Sequence, residues 1–256
     1  MPRRPAAALL AAVIAAAATG AAAAGSVLVS AASSLKEAIQ EAAERFEVRH
    51  PGTGVVVNAA ASGVLLRQIE EDAPVDLFVS ASPDEIERLE RAGRIDVGAA
   101  RPVASNRLVV VVPAGSSPPA TLAGLAAPRF DRIAIGNPRT VPAGRYAEQA
   151  LRWVGVLNAL ATRLIPGESV RQVLEYVARG EVAAGIVYAT DPRAMGERVV
   201  TGPEAPRGSH DPIVYLVAPL RDAPHPTDAA ALMAFLLSEE GRSILARRGF
   251  LPPPPR

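Results

Sequence analysis

The strongest constraint on the fold of this chain is a unit that recurs along it: a short apolar run, a turn of small residues, then an amphipathic helical stretch. Ser26–Ser30 reads as a buried strand, and Leu35, Ala38, Ile39, Ala42, Ala43 and Phe46 then repeat at helical spacing, which predicts a helix over 34–49. Ser34 stands three residues before Glu37, the pattern of a capping box. Gly54–Ala59 is a second strand, followed by Ala60-Ala61-Ser62-Gly63 and a helix carrying Leu65, Leu66 and Ile69. Val75–Val79 is a third, and Ser82-Pro83-Asp84-Glu85 opens the next helix, with proline at its first position and Glu85 placed to cap.

The second half repeats the theme. Arg107–Val112, Arg132–Ile135, Ala183–Tyr188 and Ile213–Val217 read as strands, and Tyr146–Val154 and Val170–Arg179 as helices stopped by Gly155 and Gly180. Thr227–Arg248 is helical with a break near Glu239–Gly241, and the Pro252–Pro255 tail is expected to be disordered. Alternation of this kind predicts an α/β architecture with mostly parallel sheets covered on both faces. No internal repeat of 20–50 residues is visible, and the Pro/Gly/Ser-rich stretches 113–119 and 202–212 are too short to separate independent domains. Two lobes joined by strand crossovers fit such connectors.

The first residues stand apart. Arg3 and Arg4 precede an apolar run from Ala6 to Ala18 and the small residues Thr19 to Ala24, the three parts of a cleavable secretory signal over 1–24. A membrane anchor is the competing reading, but the run is alanine-dominated and ends in small-residue steps suited to cleavage. The leader holds two of the 27 basic residues and none of the 26 acidic ones, so the remainder is close to neutral, and nothing suggests a polyanion such as nucleic acid as partner. The absence of cysteine excludes disulfides and thiolate metal sites.

Four turns stand before helices and carry small or hydroxylic residues: Ala31-Ala32-Ser33-Ser34, Ala60-Ala61-Ser62-Gly63, Val141-Pro142-Ala143-Gly144 and Glu168-Ser169-Val170. A helix start offers unpaired N–H groups and a partial positive charge, a seat for an anion. Taken singly, Ser34 and Ser62 read better as ordinary N-caps than as ligand donors.

In order along the chain, Val29-Ser30-Ala31-Ala32-Ser33-Ser34-Leu35, Ala61-Ser62-Gly63, Ala73-Pro74-Val75-Asp76-Leu77-Phe78-Val79-Ser80-Ala81, Val141-Pro142-Ala143-Gly144-Arg145-Tyr146-Ala147 and Gly185-Ile186-Val187-Tyr188 resemble the periplasmic molybdate-binding protein family. The resemblance reaches Gly249-Phe250 and departs at Asn137, where the family commonly has aspartate. It implies a two-lobed periplasmic binding protein fold of type II, with the ligand in the interlobe cleft. Residues 25–104 and 212–256 would form lobe 1 and 105–211 lobe 2, hinged near Pro102–Arg107 and Gly202–Asp211. It also implies an oxyanion site of neutral donors: hydroxyls and backbone of Ser34 and Ser62, backbone N–H groups of Ala143 and Val170, and the phenol of Tyr188. From the residues alone, Tyr188 serves as well as a core aromatic. The implied ligand is molybdate or tungstate, bound as the oxyanion with no cofactor and no direct cation ligand. The implied partners are a membrane permease and its ATPase, and the implied state is a periplasmic monomer. Sulfate or phosphate as ligand, or a cleft that takes peptides, remain alternatives.

Catalysis finds no constellation. Ser33-Ser34-Leu35-Lys36 fits the S-x-x-K of β-lactamases, but Lys36 is the only lysine, so the K-T-G element of those enzymes is absent. His50, His210 and His225 lack metal-ligand spacing.

Overall fold

The computed structural model describes residues 26–254. The leader expected over 1–24 lies outside them, as does Pro255. The first five-stranded sheet contains β1 (Ser26–Ala32), β2 (Gly54–Ala60), β3 (Leu77–Ser80), β4 (Arg101–Ser105) and β10 (Val214–Pro219), in the order β2-β1-β3-β10-β4. The second contains β5 (Leu108–Pro113), β6 (Ile133–Gly136), β7 (Leu164–Gly167), β8 (Ala184–Tyr188) and β9 (Val199–Glu204), in the order β7-β6-β8-β5-β9. Two α/β lobes result, as expected.

Alternation along the strands explains the layering. Leu77 and Val79 face one core with α1 (Lys36–Arg49), α7 (Pro226–Leu237) and α8 (Glu239–Arg247). Phe78, between them, faces the other with α2 (Ser62–Glu70) and α3 (Pro83–Arg91). In the second lobe Val110 and Val112 pack toward α4 (Pro142–Trp153), beside the short α5 (Leu157–Leu160). Val109 and Val111 pack toward α6 (Val170–Ala178). Both sheets are therefore buried on two faces, which is why their strands read as continuous apolar runs.

The sheets are not mostly parallel. β1 runs parallel to β2 and β3, and β6 to β7 and β8, but β10 is antiparallel to β3 and β4, and β5 to β8 and β9. The strand entering each sheet from the other lobe arrives without a crossover helix and runs against its neighbours. The crossovers are Asn106–Arg107, between β4 and β5, and residues 205–213, between β9 and β10. Pro102–Ser105 and Gly202–Glu204, placed in the hinge by the sequence, belong to strands instead.

Two capping expectations also fail. Ser33–Leu35 forms a 3-10 turn, α1 starts after it, and neither element has a side-chain cap. At α3 the cap is Ser82, accepting from the Asp84 N–H at 3.2 Å, while Glu85 turns inward. The helical break expected near Glu239–Gly241 falls at Ser238, which caps α8. Leu251 pairs with Ser105, so the described part of the proline tail starts from an ordered bridge and not from disordered chain. No helix among the described residues is long and apolar enough to cross a membrane.

Candidate functional site

The carboxyl ends of β1 and β8 and the starts of α2, α4 and α6 meet between the lobes around a small cavity. Ser34 and Ser62 line it from the first lobe, and Pro142, Val170 and Tyr188 from the second. Ala143 follows Pro142 as the second residue of α4 and is fully buried. The five residues singled out from the sequence therefore converge, four on the wall and one immediately behind it. No residue lining the cavity carries a charge.

Each donor has a distinct local origin. The Ser62 hydroxyl oxygen accepts the Ala81 N–H at 3.1 Å, which leaves its own hydrogen free for a guest. The Ser34 hydroxyl stands 3.1 Å from the Tyr215 hydroxyl. Neither serine caps its helix, so the ordinary N-cap reading falls for both. It holds for Ser169, which accepts from the Gln172 N–H at 3.2 Å, while the N–H groups of Val170 and Arg171 ahead of it have no intrahelical acceptor. At α4 the first residue is proline, so Ala143 presents the first N–H of the helix.

The Tyr188 hydroxyl is buried and has no hydrogen-bond partner among the described residues. Burial, reinforced by nearby Tyr215, pushes its ionisation well above the ordinary phenol value, so it is held as a neutral O–H donor. Asp191 lies close by but does not line the cavity, and one of its oxygens accepts the Tyr188 N–H at 2.9 Å. Burial pushes its carboxyl up to about 7, opposed by the charge of Arg171 and the Tyr188 N–H. Glu168 is exposed on an outer groove.

Charged groups gather at the rim. Arg171 pairs with Glu37 across the lobes and donates from Nε to the Ser33 carbonyl at 3.3 Å. On the opposite side Arg145 reaches Glu85 at 2.7 Å and Asp84 at 3.3 Å. Burial raises the Glu85 carboxyl, with Arg145 opposing. The Gly63 N–H donates to the Thr140 carbonyl at 3.0 Å, closing backbone against backbone. A Cβ on Gly63 would stand 2.7 Å from that oxygen, so only glycine permits the approach.

Sequence reasoning missed Tyr215 and Asn106, which stand directly behind Ser34. A signal existed: Tyr215 sits in a buried strand, where a phenol must find a partner for its hydroxyl. Among the described residues no group of His, Asp or Glu side chains is placed to hold a metal ion.

The chain matches the family model for bacterial extracellular solute-binding protein over residues 27–251. YvgL of Bacillus subtilis, provisionally described as an ABC transporter substrate-binding lipoprotein, is 34% identical over 87% of this chain and 85% of its own length. The molybdate-binding protein ModA of Escherichia coli is 35% identical, covering 88% of each. The periplasmic molybdate-binding protein of Azotobacter vinelandii shares the fold with a TM-score of 0.79, at 24% identity over 89% of this chain and 100% of that one. Helix starts converging on an uncharged cavity between two α/β lobes, with relatives alike over most of their length, give one conclusion: this chain belongs to the bacterial extracellular solute-binding proteins, in the family that contains the ModA molybdate-binding proteins.

Proposed function

We propose that this protein captures molybdate, and tungstate with it, in the periplasm and delivers it to an inner-membrane permease driven by an ATPase. The observation that carries the reading is the buried, unpartnered hydroxyl of Tyr188 on the wall of a cavity without charges. An orphaned buried donor is costly unless a guest supplies the acceptor. Molybdate is fully ionised at neutral pH, so it needs donors on every side and no acceptor. Ser34, Ser62 and Tyr188 would give hydroxyls, and Ala143 and Val170 would give N–H groups at helix starts, where the partial positive charge adds attraction.

Phosphate keeps a proton near neutrality and would want a carboxylate facing it, and none lines the cavity. The cavity is also far too small for a peptide. Residues 25–104 and 212–256 would move as one unit against 105–211, so that retention depends on both lobes. The protein would act as a monomer.

Titration calorimetry of the exported chain with molybdate, tungstate and sulfate tests this. Saturable binding of the first two is expected, with sulfate weaker. Tight sulfate binding with no molybdate heat would overturn the assignment, and no response to any oxyanion would reopen the peptide alternative.

A further inference from the structure

Behind Ser34 lies a chain of hydrogen bonds whose direction is fixed from one end. The Arg107 N–H donates to the Asn106 side-chain oxygen at 2.9 Å. A backbone N–H cannot accept, so this contact assigns the Asn106 amide: its oxygen faces Arg107 and its nitrogen faces the interior. That nitrogen donates to the Thr190 hydroxyl at 3.0 Å and to the Tyr215 hydroxyl at 3.2 Å. Tyr215, accepting from Asn106, has its own proton left, and its other side-chain partner is Ser34 at 3.1 Å. Ser34 thus accepts from Tyr215, and its hydrogen is left for the cavity. The opposite direction would leave the Tyr215 proton unpaired in a fully buried position.

We infer that Asn106 and Tyr215 are positioning residues that lock the Ser34 hydroxyl as a donor toward the guest, so that this side of the site rejects oxyanions that carry a proton. The inference rests on the oxyanion reading of the cavity. Every member is buried: Asn106 in the crossover between the sheets, Thr190 in the second lobe beyond β8, Tyr215 on β10 and Ser34 on the cavity wall. Tyr215, the link between Asn106 and Ser34, is fully buried, so the direction set at the Arg107 N–H carries through its hydroxyl to Ser34. Ser62 reaches the same polarity directly, through the Ala81 N–H. Ser34 and Ser62, from different turns, each have the hydroxyl oxygen engaged by a donor, which turns their own hydrogens toward the guest.

Reversing the chain tests it. Asn106→Asp keeps the acceptor for Arg107 but turns the interior atom into an acceptor. Tyr215 then donates backwards, Ser34 donates to Tyr215, and a lone pair faces the guest. The wild type, Asn106→Asp, Tyr215→Phe and the double variant are titrated with molybdate, sulfate and phosphate at pH 7, with melting temperatures as the folding control. Asn106→Asp is expected to weaken molybdate about 100-fold in the wild-type background and no more than about 5-fold beside Tyr215→Phe, where the chain is already cut. Tyr215→Phe frees the Ser34 hydroxyl to rotate, so its preference for molybdate over phosphate should fall at least 10-fold.

Equal losses from Asn106→Asp in both backgrounds would show that the added charge alone acts and would overturn the inference. So would an unchanged molybdate-to-phosphate ratio in Tyr215→Phe, which remains decisive if the aspartate variant does not fold. A wild type that takes sulfate and ignores molybdate would overturn the ligand assignment alone, with the chain then scored on sulfate over phosphate. A wild type that binds none of the three overturns both.

Discussion

The two lobes build their halves of the cavity differently. The first presents serine hydroxyls, each held by a partner behind it: Ser62 by the Ala81 N–H, Ser34 by Tyr215. The second presents helix starts headed by Pro142 and Val170, whose side chains cannot donate, and adds only the Tyr188 phenol. A side-chain donor can be deleted by one substitution. A backbone donor survives any side chain but proline's and fails when the backbone is displaced, so the second half is protected by close packing.

The largest expected effect follows from that packing. In Gly144→Ala the new Cβ would stand 2.0 Å from the Gly136 carbonyl oxygen, forcing α4 away from β6. Stability should fall by about 3 kcal/mol or more, with oxyanion binding lost. A wild-type denaturation midpoint would show that α4 is free to shift and would break the contrast. Next comes Gly63→Ala, whose Cβ would meet Thr140 of the opposite lobe. Here the unliganded melting temperature should hold within a few degrees while affinity falls about 100-fold, because only the closed approach is obstructed. A large loss of stability in the empty protein would mean that the contact serves folding instead.

Smaller effects sharpen the difference between hydroxyl and backbone donors. Ser34→Ala and Ser62→Ala should each weaken molybdate by about 1.5–3 kcal/mol, the range for hydrogen bonds to a charged partner, without unfolding the protein. Val170→Ala should leave affinity within about 3-fold, since its N–H is unchanged. Calorimetric equality of both serine variants with the wild type would remove those side chains from the site.

The smallest is a pH effect. The folded Asp191 carboxyl, pushed up to about 7 from 3.8, favours folding when protonated. Its contribution is therefore complete below about 4 and lost as pH rises through about 7. Between pH 6 and 7 the wild type should lose on the order of 1 kcal/mol from this group. Asp191→Asn, which keeps the acceptor for the Tyr188 N–H, should flatten the slope, and an unchanged slope would place its origin elsewhere.

What the sequence disclosed and what it concealed divide along physical lines. Strands buried on both faces and helices with an apolar stripe were legible because their periods are local. The strands it hid, β4, β7 and β9, are all sheet edges carrying a proline: Pro102, Pro166 and Pro203. An edge strand can spare an N–H, so the residue that marks a break elsewhere is tolerated there. The capping box failed for a related reason. Ser34 and Glu37 have the right spacing, but partners far along the chain, Tyr215 and Arg171, claim both side chains. The residues on the cavity wall were readable through resemblance, whereas Asn106 and Tyr215 behind them were not, since their contacts exist only once the lobes are assembled.

An uncharged cavity wall has an electrical consequence. A dianion seated among dipoles is held but not neutralised, so its charge is added whole to the molecule that carries it. Empty and loaded forms would then project different fields from nearly the same surface, a difference readable as faster migration toward the anode in a native gel. A receiving surface could sense the cargo in the same way, without touching it.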